Sequence, residues 1–419
     1  MDRNIRYNNL HGVAQSLALN MFQPFLGIFA IKLGAGNTTV ALLSSLPALT
    51  SAAVMIPGAY WLERMPRRKG PTAVLFLASR VVLALLALVP LWRPDRRALL
   101  LAALIGLMNL PAAVASVSWQ ALCADIFPLA SRAAIFAARN RWMALCGLAP
   151  TLAVGFFLDR LRFPLGYQAI FLVALAVSLL EIWFLTRLEE DGAARPAPRS
   201  RSLARIRGES GFWRFTLVSL CFHFPWQMGW PLFTIYQVRY LGATNLWTAI
   251  FAVTSTISSV ATYGWWGRRA ERSGTTRMLV LAAGGLALTP VFFALSSSLY
   301  PVALFNLAVG FFAAGANLLF FSGLLEVTPE EDRAAYIAYN NTLVNLSAFA
   351  APLLGGLCAS WLGIKAALVV TAVARLCGAA IIARFLALPA RQLAQAPTHQ
   401  LPPWGGKGLR PGGGLARRD

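Results

Sequence analysis

The chain has 419 residues, of which 58% are apolar and 13% are charged, and its mean hydropathy is +0.61. Soluble domains carry about a quarter charged residues, so this composition excludes an ordinary soluble protein and indicates a chain that lipid solvates. The net charge of +21 does not indicate a nucleic-acid partner, because the basic residues stand in short turns between apolar runs and form no continuous basic face.

Twelve apolar runs of helical length follow one another along the chain. A helix needs about 20 apolar residues to cross the bilayer, so we predict an all-α integral membrane protein with twelve transmembrane helices in two six-helix bundles. The predicted spans are 10–32, 38–62, 70–92, 98–125, 133–158, 165–187, 211–240, 245–267, 275–297, 300–325, 334–361 and 363–387. The predicted domains are an N-terminal bundle at 1–188, a cytoplasmic linker at 189–210, a C-terminal bundle at 211–388 and a disordered basic tail at 389–419.

The basic residues between the predicted spans set the orientation. On the side of the N-terminus there are 27 of them, against eight on the other side. Since cytoplasmic connections carry an excess of Lys and Arg, we expect a multi-pass protein of the cell (inner) membrane with both termini in the cytoplasm. The five cysteines include no C-x-x-C pair, a pattern that favours neither disulfides nor a zinc site.

Short motifs recur in the same order in the two halves of the sequence. "LGAGN" at 33–37 and "LGATN" at 241–245 are 208 residues apart, as are the Glu-Arg pairs at 63–64 and 271–272. "DIFPLASRAA" at 125–134 and "EVTPEEDRAA" at 326–335 are 201 residues apart. The order of these matches predicts a duplicated architecture.

With these motifs the chain resembles the major facilitator superfamily, whose transporters consist of two six-helix halves related by an axis along the membrane normal. The resemblance covers nearly all of residues 8–388. The family's signature turn between spans two and three is matched twice, with Ala and Pro replacing the usual glycines in the first copy: Ala59, Glu63, Arg64, Pro66, Arg67 and Arg68, then Gly267, Glu271, Arg272, Gly274 and Arg277.

The resemblance implies a secondary transporter, without enzymatic activity, that moves a small solute by alternating access. "APLLGG" at 351–356 is similar to a motif of the superfamily's exporters, although it falls in span eleven instead of span five; it gives a slight preference for export. The alternative is a transporter-like sensor or assembly partner that no longer carries solute.

The resemblance also implies a gate at the inner ends of the spans, where the acid of the signature turn docks on the opposite half. We expect Glu63, Arg67 and Asp125 to form a cytoplasmic latch that holds the outward-open state. Its counterpart would be Glu271, Arg272 and Glu326, and the predicted gating set is completed by Arg64, Arg277 and Arg333. The alternative for the basic clusters is a topology signal that contacts anionic headgroups.

Ionisable residues inside a span are costly and point to function. Arg80 and Arg375 fall near the middle of their spans. If they face a central cavity, they favour an anionic or zwitterionic solute; the alternative is a structural arginine bonded to carbonyls or to a carboxylate between helices. Glu181 either carries a proton for coupling or pairs with a neighbouring cation.

Uncharged polar residues in the spans complete the predicted substrate cavity. Asn20 and Gln227 each precede a proline by four residues, so a nearby amide can satisfy the carbonyl that the proline leaves free. The alternative is contact with substrate, because the resemblance implies that spans one and seven line the cavity. The other candidates are Gln23, Asn109, Gln120, Asn317 and Asn345.

The sequence offers no motif for a cofactor. The three histidines are too scattered for a metal site, and there is no nucleotide-binding loop and no nucleophile beside a base. The partners that the resemblance implies are a small-molecule solute, membrane lipid and, if transport is proton-coupled, protons, with the chain acting as a monomer.

Overall fold

The computed structural model describes residues 2–63, 65, 67–190, 208–329 and 333–386, and the regular structure in these ranges is helical. The first half contains α1 (Asp2–Phe22, continued through a 3₁₀ turn at Gln23–Phe25 by Leu26–Lys32), α2 (Asn37–Glu63), α3 (Lys69–Leu88), α4 (Arg97–Ile126), α5 (Leu129–Arg160) and α6 (Leu165–Thr186). The second half contains α7 (Ser210–Ile235), α8 (Asn245–Ser273), α9 (Thr275–Leu295), α10 (Leu299–Val327), α11 (Arg333–Leu362) and α12 (Ile364–Leu386).

Eleven of these helices are long and apolar enough to cross a membrane, as far as the described residues go. The exception is α7, whose hydropathy is lowered by two prolines, His223 and Gln227. It nevertheless packs against α11 and α12 inside the bundle. The all-α architecture predicted from the sequence is therefore confirmed, while the interior of the predicted linker (191–207) and the tail beyond 386 lie outside the described residues.

The two halves repeat one packing scheme. In the first half α1 packs against α5 and α6, α2 against α4, and α3 against α4 and α6. In the second half α7 packs against α11 and α12, α8 against α10, and α9 against α10 and α12. Adding six to each helix number converts one scheme into the other, so the duplicated sequence motifs correspond to a duplicated fold.

The turns that precede α2 and α8 show the duplication in backbone detail. Gly34 and Gly242 occupy the same place in "LGAGN" and "LGATN", and both have positive φ, at 91° and 68°. Residues with a Cβ rarely adopt this left-handed conformation. Each glycine therefore allows the chain to turn sharply and begin the next helix three residues later.

The halves meet mainly along two helix pairs, α2 with α11 and α5 with α8. Adding six to each helix number, and counting on from α12 to α1, converts each pair into the other. The pseudo-twofold axis therefore lies between the two pairs. We call the end of the bundle that carries Asp2 and Ser273 the N-terminal face, and the end that carries Asn37 and Asn245 the opposite face.

Candidate functional site

At the opposite face, α5 closes against the start of α8. The carboxylate of Asp159 accepts hydrogen bonds from the backbone N–H of Asn245, from that of Leu246 and from the Asn245 side-chain amide, each at 2.9 Å. Tyr167 donates its hydroxyl proton to Asn245 Oδ1. A carboxylate at a helix N-terminus satisfies N–H groups that lack partners in the helix, so Asp159 of one half caps a helix of the other.

The start of α2 is likewise hydrogen-bonded to a residue of the second half. Arg239, just beyond α7, donates to the Asn37 side-chain oxygen and to the carbonyl of Ala35. Asn37 and Asn245 are the matching last residues of the two repeated motifs. The repeat therefore marks the two places where each half holds the other.

Glycines in α5 and α11 let the backbones come close at the same points. A Cβ added at Gly155 would lie 2.7 Å from Ala249 Cβ and 2.9 Å from the Asn245 carbonyl oxygen. A Cβ added at Gly356 would lie 3.0 Å from Ala41 Cβ and 3.1 Å from the Asn37 carbonyl oxygen. The two contacts are equivalent under the duplication, and we call them, with the hydrogen bonds of Asp159 and Arg239, the opposite-face seal.

A polar pocket of about 220 Å³ lies below the seal, where α1, α5 and α8 meet. Thr256, which lines it, is eleven residues past the start of α8, or about 16 Å along the helix, which is close to mid-bilayer. The pocket is lined by Ser16, Asn20, Met143, Ala144, Gly147, Leu148, Thr151, Ala252, Val253 and Thr256.

A groove lies along α1 nearer the N-terminal face. It has a volume of about 480 Å³ and is lined by Asp2, Ile5, Arg6, Asn9, Leu10, Val13 and Trp142. Residues 2, 6, 9, 13, 16 and 20 fall three or four apart, which places them on one face of α1. The same face of α1 therefore contributes residues to both the groove and the pocket.

Contacts between the halves are distributed unevenly along the membrane normal. Within the described residues, the hydrogen bonds that join the halves lie at the opposite face, apart from a long contact of 3.8 Å between Asn345 Nδ2 and Met55 Sδ. Val260 and Tyr263 continue the pocket side of α8 toward the N-terminal face and are 43% and 42% exposed. Among the described residues, the hydrogen bonds between the halves, apart from that long contact, thus lie on the opposite-face side of the pocket.

The family model described as the Major Facilitator Superfamily matches residues 11–265 and 244–413, which together span most of the chain. The chain belongs to the major facilitator superfamily. The resemblance stated from the sequence is therefore confirmed, and curated proteins give no significant sequence match.

Solved transporters with this fold superimpose on more than nine-tenths of the chain. A bacterial homologue of the human lysosomal transporter Spinster, in an inward-facing and unoccupied conformation, aligns with a TM-score of 0.67 at 14% identity, over 94% of this chain and 98% of that one. The nucleoside transporter NupG gives 0.68 at 13% identity, with 92% and 99% covered. A POT family transporter in complex with 5-aminolevulinic acid gives 0.71 at 13%, with 93% and 96% covered. At these identities the likeness concerns the fold alone.

In this superfamily member, Asn20 is the predicted cavity residue that lines the pocket. Its side-chain amide donates to the Ser16 carbonyl (2.9 Å), while its own carbonyl, which Pro24 leaves free, is 3.4 Å from the Thr151 hydroxyl. The hydroxyl of Thr151, and not the Asn20 amide, is thus the side-chain group near the carbonyl that Pro24 frees, and a contact of Asn20 with substrate stays a prediction. Gln227, its match in α7, is 3% exposed and accepts a hydrogen bond from Ser347 in α11 at 2.7 Å.

Arg80 lies inside the first half and not in the pocket. It is 3% exposed, and its guanidinium holds Glu181 through two hydrogen bonds of 3.1 Å. Gln15 of α1 donates to the same carboxylate at 3.0 Å. Glu181 is thus paired with a neighbouring cation, and this is the alternative that the sequence left open for both residues.

Arg139 adds a second buried cation, which the sequence analysis did not single out. The predicted span began at 133 and α5 begins at Leu129, so Arg139 lies about three turns inside the helix, and it is 4% exposed. It donates to Gln15 Oε1 at 2.9 Å and lies 4.1 Å from the centre of the Trp119 ring. Its position inside the predicted span was the signal that could have identified it.

Arg375 lies at the equivalent three-helix junction of the second half, among α7, α9 and α12. It is 1% exposed and donates to Thr289 Oγ1 (2.9 Å) and to three carbonyls, at 2.8–3.2 Å. These carbonyls belong to Pro225, Trp226 and Leu286. The contacts match the structural alternative, and a role in a solute cavity stays a prediction for both arginines.

The remaining cavity candidates do not converge on the pocket. Asn109 bonds to Pro47 and Ser51 of α2 inside the first half, at 2.7 and 2.6 Å, and Asn345 contacts Met55. Three others are exposed on their helices: Gln23, Gln120 and Asn317.

At the N-terminal face the predicted acid–base pairing is present with a different arginine. Asp125 bonds to Arg68 at 2.6 Å, whereas Arg67, its predicted partner, is exposed. Glu326 accepts a hydrogen bond from Thr275. Exposed positions are occupied by Glu271, Arg272 and Arg277. Arg64 and the side chains of Glu63 and Arg333 lie outside the described residues.

Proposed function

We propose that this protein is a secondary transporter that binds a small solute in the α1–α5–α8 pocket and works by alternating access. The observation that supports the proposal most directly is the uneven distribution of contacts: the opposite-face seal lies above the pocket, while a groove lined by the same face of α1 lies on the side of the N-terminal face. A rocking motion that breaks the seal and closes the groove would expose the pocket to the other side.

The positive-inside distribution supports a cytoplasmic N-terminal face, with both termini in the cytoplasm of a cell (inner) membrane protein. In that orientation the described conformation is open to the cytoplasm and closed to the outside. The cytoplasmic latch would then form in the other state, which is consistent with the absence of an ion pair between the halves among the residues that the structure describes.

Export remains the preferred direction, because "APLLGG" at 351–356 is similar to a motif of the superfamily's exporters. In α11 that motif supplies two close backbone approaches: Gly356 meets α2, and a Cβ added at Gly355 would lie 2.3 Å from the Met228 carbonyl oxygen of α7. The motif therefore acts at the junction that must move during transport, which fits a coupling role in either direction.

We assign Glu181 a structural role in place of the predicted role in proton coupling. Arg80 and Gln15 donate three hydrogen bonds to its carboxylate. Because these three residues belong to α1, α3 and α6, the bonds hold the three helices together. The expectation of an anionic or zwitterionic solute also loses support, because it required Arg80 or Arg375 to face the pocket.

The alternative of a non-transporting sensor predicts an apolar, sealed centre. The polar lining of the pocket favours transport over this alternative. Labelling of a pocket cysteine can separate the two without knowledge of the solute. We would replace the five native cysteines, introduce Ala252→Cys, and apply a membrane-impermeant thiol reagent to oriented vesicles from either side.

Alternating access predicts labelling from the N-terminal face and slower labelling from the opposite face. Tyr300→Cys, at a position 76% exposed at the opposite face, controls for vesicle orientation. If Ala252→Cys reacts from one side alone, including in variants with a weakened seal, the transporter proposal is wrong and the sensor reading is favoured.

A further inference from the structure

The polar side chains of the pocket are uncharged. They are three hydroxyls and one amide, from Ser16, Asn20, Thr151 and Thr256. The buried arginines nearby are bonded inside the halves, as described above. The chemistry that the pocket offers to a solute therefore depends on which hydrogen-bonding atoms of these four residues are still free.

The three hydroxyl groups of the pocket already donate their protons to backbone carbonyls. Ser16 Oγ donates to the Met143 carbonyl at 2.6 Å, Thr151 Oγ1 to that of Gly147 at 2.9 Å, and Thr256 Oγ1 to that of Ala252. A hydroxyl has one proton and two lone pairs. Each hydroxyl that has donated to the backbone can still accept.

The amide of Asn20 shows the same bias. Its NH₂ group donates to the Ser16 carbonyl at 2.9 Å and to Ser16 Oγ at 3.2 Å. Its side-chain oxygen has one long contact, 3.5 Å from Thr151 Oγ1. All four side chains therefore have unused hydrogen-bond acceptors, while their donor protons are already bonded within the protein.

We propose that the pocket selects a small uncharged or cationic solute rich in O–H and N–H donors, of the polyol or amino-sugar class, and discriminates against anions. This inference rests on the proposed function, in which the pocket is the solute site. An anion would need donors, and each hydroxyl that turned to supply one would leave a buried backbone carbonyl without its partner.

The size of the pocket supports a small solute. Its volume of about 220 Å³ corresponds to about seven water molecules and is below the ~300–1,000 Å³ of pockets for drug-sized ligands. Met143, Leu148 and Val253 supply an apolar wall, which suits a ring or carbon chain with donors along one edge.

The test is protection of a pocket cysteine by sugars that share one ring and differ in charge. In a chain free of native cysteines, Ala144→Cys places the thiol on the lining and keeps all four acceptors. D-glucose, D-glucosamine and D-glucuronate would be added at equal concentration to the purified protein before a small thiol reagent. We expect the neutral and the cationic sugar to slow labelling and the anionic sugar to leave it unchanged.

A pair of threonine variants tests whether the acceptors are responsible. Thr256→Val removes a pocket acceptor. Thr262→Val removes a hydroxyl of the same helix that lies away from the pocket and donates to the Ser258 carbonyl at 2.7 Å. Loss of one hydrogen bond should raise the glucose concentration for half-protection by about two- to tenfold in Thr256→Val and leave it unchanged in Thr262→Val.

Protection by glucuronate equal to that by glucose would overturn the inference. So would equal responses of the two threonine variants, or labelling that none of the three sugars slows. The transporter proposal is judged separately, because two-sided labelling of Ala252→Cys needs no solute.

Discussion

Asn37 and Asn245 stand 208 residues apart at the starts of α2 and α8, and each has its backbone carbonyl against a glycine of the opposite half. Their side chains are also bonded across the halves, to Arg239 and to Asp159. A residue that holds the closed state must lose these contacts when the face opens. Substitutions at the contacts should therefore change the balance of conformations more than the stability of either half.

Ala substitution at Gly155 is expected to weaken the seal. The new Cβ would lie 2.7 Å from Ala249 Cβ, and overpacking of this kind costs ~1–3 kcal/mol in the closed state, while the open state separates the two helices. Labelling of Ala252→Cys from the opposite face should become faster.

Gly284→Ala is the matched control for Gly155→Ala, because no atom lies within 4 Å of a Cβ added at Gly284. Equal labelling rates in the two variants would show that the Gly155 contact does not hold the closed state.

Asp159→Ala is expected to open the same face by a different route. The carboxylate accepts three bonds of 2.9 Å at the start of α8, and hydrogen bonds to charged groups contribute about 1.5–3 kcal/mol each, less where water competes. Opposite-face labelling should rise more in Asp159→Ala than in Asp159→Asn, since asparagine keeps one acceptor oxygen.

Asp95→Ala controls for the loss of a negative charge at this face. Asp95 pairs with its neighbour Arg96 at 3.6 Å, and both are well exposed. A response to Asp95→Ala as large as that to Asp159→Ala would assign the effect to surface charge and not to the helix cap.

Arg80 and Glu181 are expected to stabilise the first half and not to bind solute. Removal of one partner of a buried ion pair leaves an uncompensated charge and costs about 3–5 kcal/mol, so Glu181→Gln should lower Tm clearly. The double variant Arg80→Met with Glu181→Met should recover part of the loss, because neither charge remains. If Glu181→Gln instead keeps Tm and removes the pH dependence of flux, Glu181 carries the coupling proton.

The sequence predicted the duplication well and the contacts of single polar residues poorly. Repeated motifs fix which turns correspond, because a duplicated fold keeps them in order. Asn20, one of the predicted cavity residues, lines the pocket, and its contact with substrate stays a prediction. A lone Arg80 in an apolar run does not reveal which side of α3 meets Glu181, however. That choice depends on how three helices pack, and the pattern of one helix does not contain it.

The seal was beyond the sequence for a related reason. In the sequence, Asp159 and Arg239 are charged residues at helix ends, and such residues usually contact headgroups or water. Their partners lie in the opposite half. The matching asparagines were visible in the repeat, but a repeated residue does not reveal that each copy binds the other half.

The N-terminal-face turn gives the last prediction, on the choice between Arg67 and Arg68. Arg68 bonds to Asp125 at the end of α4, and its backbone N–H bonds to Glu190 at 2.7 Å, so this residue ties the turn to two other segments. Arg67 is exposed. We therefore expect Arg68→Gln and Asp125→Asn, which break the same ion pair, to change the rate of labelling from the N-terminal face by the same amount. Arg67→Gln should behave as the unaltered chain. Because both variants remove one positive charge from the same turn, a matching response of Arg67→Gln would mean that charge at the membrane surface, and not the ion pair with Asp125, controls the inner end of the bundle.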